Sequence, residues 1–306
     1  MYLSHFGLRE APFGITPDTE FFFARGSHQD AFNTLLVALR AGEGFIKLTG
    51  EVGLGKTTLV RKLLNELGDE FVTAYIPNPY ISPKAMQLGL AEDLGFTTNA
   101  SLTLERITRA INKRLLELAA EGKSAVLFLD EAQALPHDSL EYIRLLTNLE
   151  TEKAKLLQVV LVGQPELDVR LAERGVRQLR QRITFTCELQ PMNYRTMREY
   201  VDHRLHVAGH HGGMLFTPAA LRLVHDASGG VPRLVNILCH KALMAAYGPG
   251  LLRADEREAL AAIADTEGVT LPWRQRLRDG LRAYAVPAAL ALVMSIGLAW
   301  LIGGRL

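Results

Sequence analysis

The chain has 306 residues, enough for one large domain or two modest ones, and its 48% apolar content is ample for a packed core. A net charge of +1 gives no overall attraction to nucleic acid or any other polyanion, although it leaves room for a local basic face. Cys187 and Cys239 lie far apart, match no metal-ligand spacing and read as core residues of a reducing compartment, and residues 1–20 lack the basic start and apolar centre of a secretory signal.

Residues 1–42 form a leading segment, with Pro12-Phe13, Pro17 and the Phe21-Phe22-Phe23 cluster in an extended stretch expected to pack on the main domain. A helix is predicted over 29–40, with Ala31, Leu35, Leu36 and Leu39 on one face. Residues 44–49 read as a short buried strand that runs into Gly50-Glu51-Val52-Gly53-Leu54-Gly55-Lys56-Thr57. That stretch fits G-x-x-x-x-G-K-[ST], a loop for the phosphates of a nucleoside triphosphate such as ATP. The glycines let backbone N–H groups turn inward, Lys56 can reach the β- and γ-phosphates, and the Thr57 hydroxyl can ligate Mg²⁺. The apolar spacing of Leu59, Val60, Leu63, Leu64 and Leu67 predicts a helix over 58–67, so that Thr58 and the loop sit at its positive N-terminal end.

Strands and helices alternate through 43–190, the predicted ATPase domain. Strands are predicted at 71–76, 124–129, 156–162 and 183–189, and helices at 83–94, 104–120 and 139–150. Five apolar strands separated by helices imply an α/β fold, a mostly parallel sheet covered on both faces. The strand 124–129 ends in Asp130 and Glu131 and is expected to lie beside the strand that feeds the phosphate loop. Asp130 would then hold Mg²⁺, and Glu131 would polarise the attacking water as a general base. Gln164, just past the strand 156–162, is a candidate for contact with the γ-phosphate or the water. Of Arg177, Arg180 and Arg182, one is expected to reach the ATP of a neighbouring subunit, where such a group is worth ~10³-fold or more in rate; Arg182 is preferred over Arg180.

Beyond Pro191 the pattern becomes helical, giving a small lid domain over 191–267 with helices at 194–207, 217–227, 231–247 and 255–265. Gly229-Gly230-Val231-Pro232-Arg233 puts Arg233 in the first turn of a helix, from which it would swing onto the phosphates when ATP closes the two domains. His203, His206, His210 and His211 lack a carboxylate or cysteine to complete a metal site. A basic linker, 268–284, leads to residues 285–302, a charge-free run that as a helix would span about 27 Å, close to the hydrocarbon core of a bilayer. Arg274, Arg276, Arg278 and Arg282 precede it and only Arg305 follows, which places the ATPase side in the cytoplasm.

With loop, acidic strand, polar strand tip and two candidate arginines in order, the chain resembles the AAA+ ATPases over about residues 1–267. The opening Met1-Tyr2-Leu3-Ser4-His5-Phe6-Gly7-Leu8-Arg9-Glu10-Ala11-Pro12-Phe13, together with Leu129-Asp130-Glu131-Ala132-Gln133, Gly163-Gln164-Pro165-Glu166-Leu167 and Leu179-Arg180-Gln181-Arg182-Ile183, is similar to the general secretion pathway protein A (ExeA) family. Within it the likeness is to the branch serving mannose-sensitive haemagglutinin (MSHA) pili. The resemblance implies an oligomeric, Mg²⁺-dependent ATPase at the bacterial inner membrane. Its expected partners are further copies of itself and the proteins that assemble a type IV pilus or type II secretion apparatus. Larger members carry a periplasmic peptidoglycan-binding domain after the span; only Gly303 to Leu306 follow it here, so a partner is expected to supply that binding. The competing reading is an ATP-dependent DNA-binding regulator of the transposition-ATPase type, which the near-neutral charge and the apolar run disfavour.

Overall fold

The computed structural model describes residues 2–77, 82–96, 103–146, 155–173, 175–269 and 271. Its described residues form two compact units, one within Gly14–Val207 with Val231–Arg233, the other of residues up to Phe13, Ala208–Gly230 and those from Leu234.

The first unit is built on β1 (Phe45–Thr49), β2 (Phe71–Ile76), β3 (Ser124–Leu129), β4 (Leu157–Gly163) and β5 (Phe185–Glu188). They form one sheet in the order β2-β3-β4-β1-β5, parallel throughout. Helices α1 (Ser27–Arg40), α2 (Lys56–Glu66), α3 (Pro83–Asp93), α4 (Leu104–Ala120), α5 (His137–Leu146), α6 (Glu166–Leu171), α7 (Arg177–Arg180) and α8 (Tyr194–Val207) belong to the same unit. The period-two alternation of the strands divides the core between the two faces. Ala125, Leu127 and Leu129 of β3 pack with Val159 and Leu161 of β4 and with apolar residues of α3, α4 and α5. Val126, Phe128, Val160 and Val162 point the other way, onto Leu35 and Leu39 of α1 and Leu59 and Leu63 of α2.

The helices follow from local signals. In α4, Ile107, Ile111, Leu115 and Leu118 make one buried stripe, and the Thr103 side chain caps the start by accepting from Arg106 N at 3.4 Å. Ser82 caps α3 in the same way, with Pro83 in the first turn. Three short helical pieces carried no periodic signal: a 3-10 turn at Ala132–Ala134, α6 and α7. The helix expected over 139–150 begins earlier, at His137, and its expected end lies beyond Leu146, outside the described residues.

One expectation about the sheet is corrected. The acidic strand β3 does not lie beside β1; β4 stands between them and pairs with both. The inserted strand brings its own tip, Gly163-Gln164, between the phosphate loop and the two carboxylates.

The second unit contains α9 (Pro218–Ser228), most of α10 (Pro232–Tyr247) and α11 (Glu256–Ala264). α11 opens on a full capping box between Asp255 and Glu258. The leading segment is divided where a single body was expected. Residues up to Phe13 join this helical unit: Tyr2 donates to His240 Nδ1 at 2.8 Å, and Phe13 packs edge-on against Phe216. From Gly14 onward the segment belongs to the sheet unit, where Arg61 donates to Pro17 O and the Arg204 guanidinium lies 4.6 Å from the Phe21 ring centroid. α8, expected in the helical domain, also clusters with the sheet. Among the described residues no helix is long and apolar enough to cross a membrane; the run at 285–302 lies outside them.

Candidate nucleotide site

The fully buried β1 delivers the chain to Gly50, whose N–H donates to Gly163 O at 3.2 Å and ties the loop to the tip of β4. Gly53 has φ +85°, a left-handed conformation, and a Cβ there would lie 2.9 Å from Arg233 Cβ and 3.1 Å from Val231 Cγ1. Glycine is therefore required twice at this position, by the torsion and by the neighbours. The Arg233 N–H donates to Gly53 O at 3.2 Å, so the backbone of Arg233 already stands at the loop and its exposed side chain needs no swing to reach it.

The loop passes into α2 at Gly55, which offers no side-chain cap, and the first turn of α2 carries no acidic residue. Unshared N–H groups at a helix start, with no competing carboxylate, suit an anion. Lys56 is 6% exposed, and its ammonium donates only to carbonyls, Gly50 O at 2.6 Å and Glu51 O at 3.1 Å. Burial lowers the Lys56 pKa, partly offset by Glu131, Asp130, Glu51 and Glu166. A buried ammonium resting on carbonyls fits a triphosphate better than it fits the bare loop.

Asp130, 2% exposed, is held by three donors. Thr57 Oγ1 donates to its Oδ2 at 2.7 Å, Tyr75 OH to the same oxygen at 3.1 Å, and the Glu131 N–H to Oδ1 at 2.9 Å. Hydroxyl and carboxylate side by side are the hard oxygen donors that Mg²⁺ takes, so this pair fits the metal expected with ATP. Burial, then the Asp130 carboxylate, raises the Tyr75 phenol well above its ordinary range.

Glu131 has φ +53°, the one non-glycine residue with positive φ among the described residues. Such torsions collect at functional sites. Its Oε2 accepts from Gln133 Nε2 at 2.5 Å and from Gln164 Nε2 at 3.1 Å. The loop, Asp130, Glu131 and Gln164 thus converge as their order in the chain implied, and Arg233 joins them through Gly53. Arg182 does not stand open: it is half-buried and donates to Arg144 O at 3.1 Å, whereas Arg177 and Arg180 are exposed.

Three contributors carry no local sign of their role in the sequence. Tyr75 is an ordinary aromatic of a strand, and only the pairing of β2 with β3 brings it to Asp130. His28, one residue before the expected helix start, places Nε2 2.6 Å from Leu54 O inside the loop. Gln133 stands two residues past Glu131, a spacing with no meaning until the 3-10 turn folds it back. His210 has its two ring nitrogens 2.8 Å from Phe6 O and Gly213 O, and the His203 ring lies tilted against Phe23 with centroids 5.3 Å apart.

Residues 39–171 match the AAA domain family. General secretion pathway protein A of Aeromonas hydrophila is 41% identical over 269 residues, which are 88% of this chain but 49% of that protein; the chain spans about half the length of this relative. Among solved structures, Cdc6p of Pyrobaculum aerophilum aligns over 81% of this chain and 70% of its own with a TM-score of 0.64 and 18% identity. The ORC2 protein of Aeropyrum pernix, solved in ADPNP-ADP complexes, aligns over 85% and 74% with a TM-score of 0.61 and 16% identity. The RuvB branch migration motor of Thermotoga maritima aligns over 86% and 82% with a TM-score of 0.53 and 20% identity. At these identities the solved structures speak to the fold alone.

Proposed function

We propose that this chain, which matches the AAA domain family over residues 39–171 and is 41% identical to general secretion pathway protein A, hydrolyses ATP with Mg²⁺ to support assembly of an envelope machine, an MSHA-like type IV pilus or a type II secretion apparatus. The carrying observation is the convergence of Lys56, Thr57, Asp130, Glu131 and Gln164 around one end of the sheet. In this reading residues 50–58 cradle the phosphates, and Thr57 and Asp130 hold Mg²⁺, which supplies charge neutralisation on the phosphate oxygens. Glu131 accepts a proton from water as the water oxygen bonds to the γ-phosphorus and the bond from that phosphorus to the β,γ-bridging oxygen breaks, leaving ADP and phosphate. Gln164 and Arg233 contact the γ-phosphate from the tip of β4 and from the start of α10. An arginine at 180–182 acts on the ATP of the next subunit in a homo-oligomer.

The run at 285–302 is proposed as a single inner-membrane span, with the arginines before it keeping the ATPase in the cytoplasm. Steady-state ATPase of Lys56→Ala and Glu131→Gln tests the chemistry; unchanged turnover in both would sink it. Carbonate extraction of membranes tests the anchor, since a chain released by high pH is not spanning. The solved structures, all under 25% identical, support the fold alone and do not carry the DNA-binding reading.

A further inference from the structure

We propose that Gln133 is a positioning residue for the water-activating carboxylate, holding Glu131 by Oε2 through the hydrolytic step while Gln164 is released to the γ-phosphate. This rests on the reading of Glu131 as the general base. Three polar atoms of Gln133 are engaged. Its Nε2 donates to Glu131 Oε2 at 2.5 Å, its Oε1 accepts from the Gln164 N–H at 3.1 Å, and its carbonyl accepts from Arg170 Nη1 at 3.2 Å. The side chain is therefore pinned at both ends of the amide and at its own backbone, which fixes the direction in which it donates. Gly163 belongs to the same device: a Cβ there would come 2.8 Å from Gln133 Oε1, so the bare backbone at the tip of β4 makes room for the amide.

The two donors to Glu131 are not equivalent. Gln164 hangs from the strand between the phosphate loop and the acidic strand, where a γ-phosphate oxygen would compete for its amide. Gln133 is locked against Gln164 N and cannot follow. Both bonds fall on Oε2, so a carboxylate that loses the Gln164 bond keeps its orientation through Gln133, with Oε1 left to take the proton. The left-handed backbone at Glu131 is a torsion of the kind that collects at functional sites, and Gln133 is the neighbour that holds the carboxylate it presents.

The test compares Gln133→Glu, Gln133→Leu, Gly163→Ala and Glu131→Gln in the full chain, reading kcat, KM for ATP and the affinity for a fluorescent ATP analogue. Gln133→Glu retains the acceptor toward Gln164 N and replaces the donor by a like charge facing Glu131. It is expected to lose ~10-fold or more in kcat, a share of the ~10²–10⁴ that a general base contributes, with KM and affinity within about twofold. Gly163→Ala, which displaces the amide, is expected to follow it. In a Glu131→Gln background the Gln133→Glu change is expected to add nothing, because the group it positions is gone. If Gln133 only ties the loop together, Gln133→Glu turns over like the native chain while Gln133→Leu fails; that result overturns the proposal. If Glu131→Gln itself keeps native turnover, the underlying reading of Glu131 fails instead, and the two failures are distinguished by that one variant.

Discussion

Thr57 Oγ1 donates a 2.7 Å hydrogen bond to Asp130 Oδ2, although the two residues follow strands that are separated in the sheet by β4. The fold itself thus holds in register the hydroxyl and the carboxylate proposed to take Mg²⁺. Asp130→Asn is expected to lower Mg²⁺-dependent turnover by about 10²-fold or more, as loss of a metal-side charge does. The fold should tolerate the change, because an Asn carbonyl at the Oδ1 position still accepts from the Glu131 N–H, and the Thr57 and Tyr75 hydroxyls can rotate to accept. A magnesium titration of ATPase activity beside a thermal melt separates the two effects. Native turnover at saturating Mg²⁺ would remove Asp130 from the site.

Gly53 and Gly122 both have positive φ, +85° and +73°, but only Gly53 has neighbours that a Cβ would strike. Alanine at either position incurs torsional strain of about 1–2 kcal/mol. At Gly53 it must also push away Arg233 and Val231, so Gly53→Ala is expected to unfold at lower temperature than Gly122→Ala and to lose nucleotide affinity, which Gly122→Ala keeps. Equal melting temperatures and equal affinities would show that the approach of Arg233 to the loop is immaterial.

The arginine cluster before β5 divides into two roles. Arg182 donates to Arg144 O in the last turn of α5, an internal tie, whereas Arg180, two residues earlier at the end of α7, is exposed. The geometry shifts the candidate for action on a neighbouring subunit from Arg182 to Arg180. Arg180→Ala protein mixed with Glu131→Gln protein is expected to recover turnover, since one partner supplies the base and the other the arginine. Arg182→Ala is expected to lower the melting temperature. Recovery in Arg182→Ala mixtures and none with Arg180→Ala would restore the original preference.

What could be read in the chain, and what could not, follows from the range of each signal. Residues 50–57 and the β3 end at Asp130-Glu131 are local patterns, and their convergence follows once an alternating α/β chain is recognised. Strand order is not local: nothing in residues 124–129 or 157–163 says which of them neighbours β1, and the insertion of β4 had to be seen. The same holds for residues 2–13, whose Tyr2 meets His240 across almost the whole chain. Gln133 and Tyr75 escaped because their roles depend on a 3-10 turn and on a strand pairing, and neither leaves a period in the sequence.

His28 gives a pH dependence with a defined sign. Its Nε2 lies 2.6 Å from Leu54 O, so the neutral ring donates to the phosphate loop. Burial lowers its pKa below the ordinary value of 6.5, while the Leu54 bond opposes the shift. A group whose folded pKa is depressed binds more protons when unfolded, so its penalty is absent above about pH 6.5 and grows as pH falls toward the lowered value. His203 and His240 are shifted the same way, chiefly by burial. The melting temperature is therefore expected to fall between pH 7.5 and 5.5. His28→Gln retains an amide donor toward Leu54 O but cannot titrate, so it should flatten part of that slope while leaving stability at pH 7.5 nearly unchanged. Melts of the two proteins across this range measure the difference directly, and parallel curves would show that His28 is protonated equally in the folded and unfolded chains.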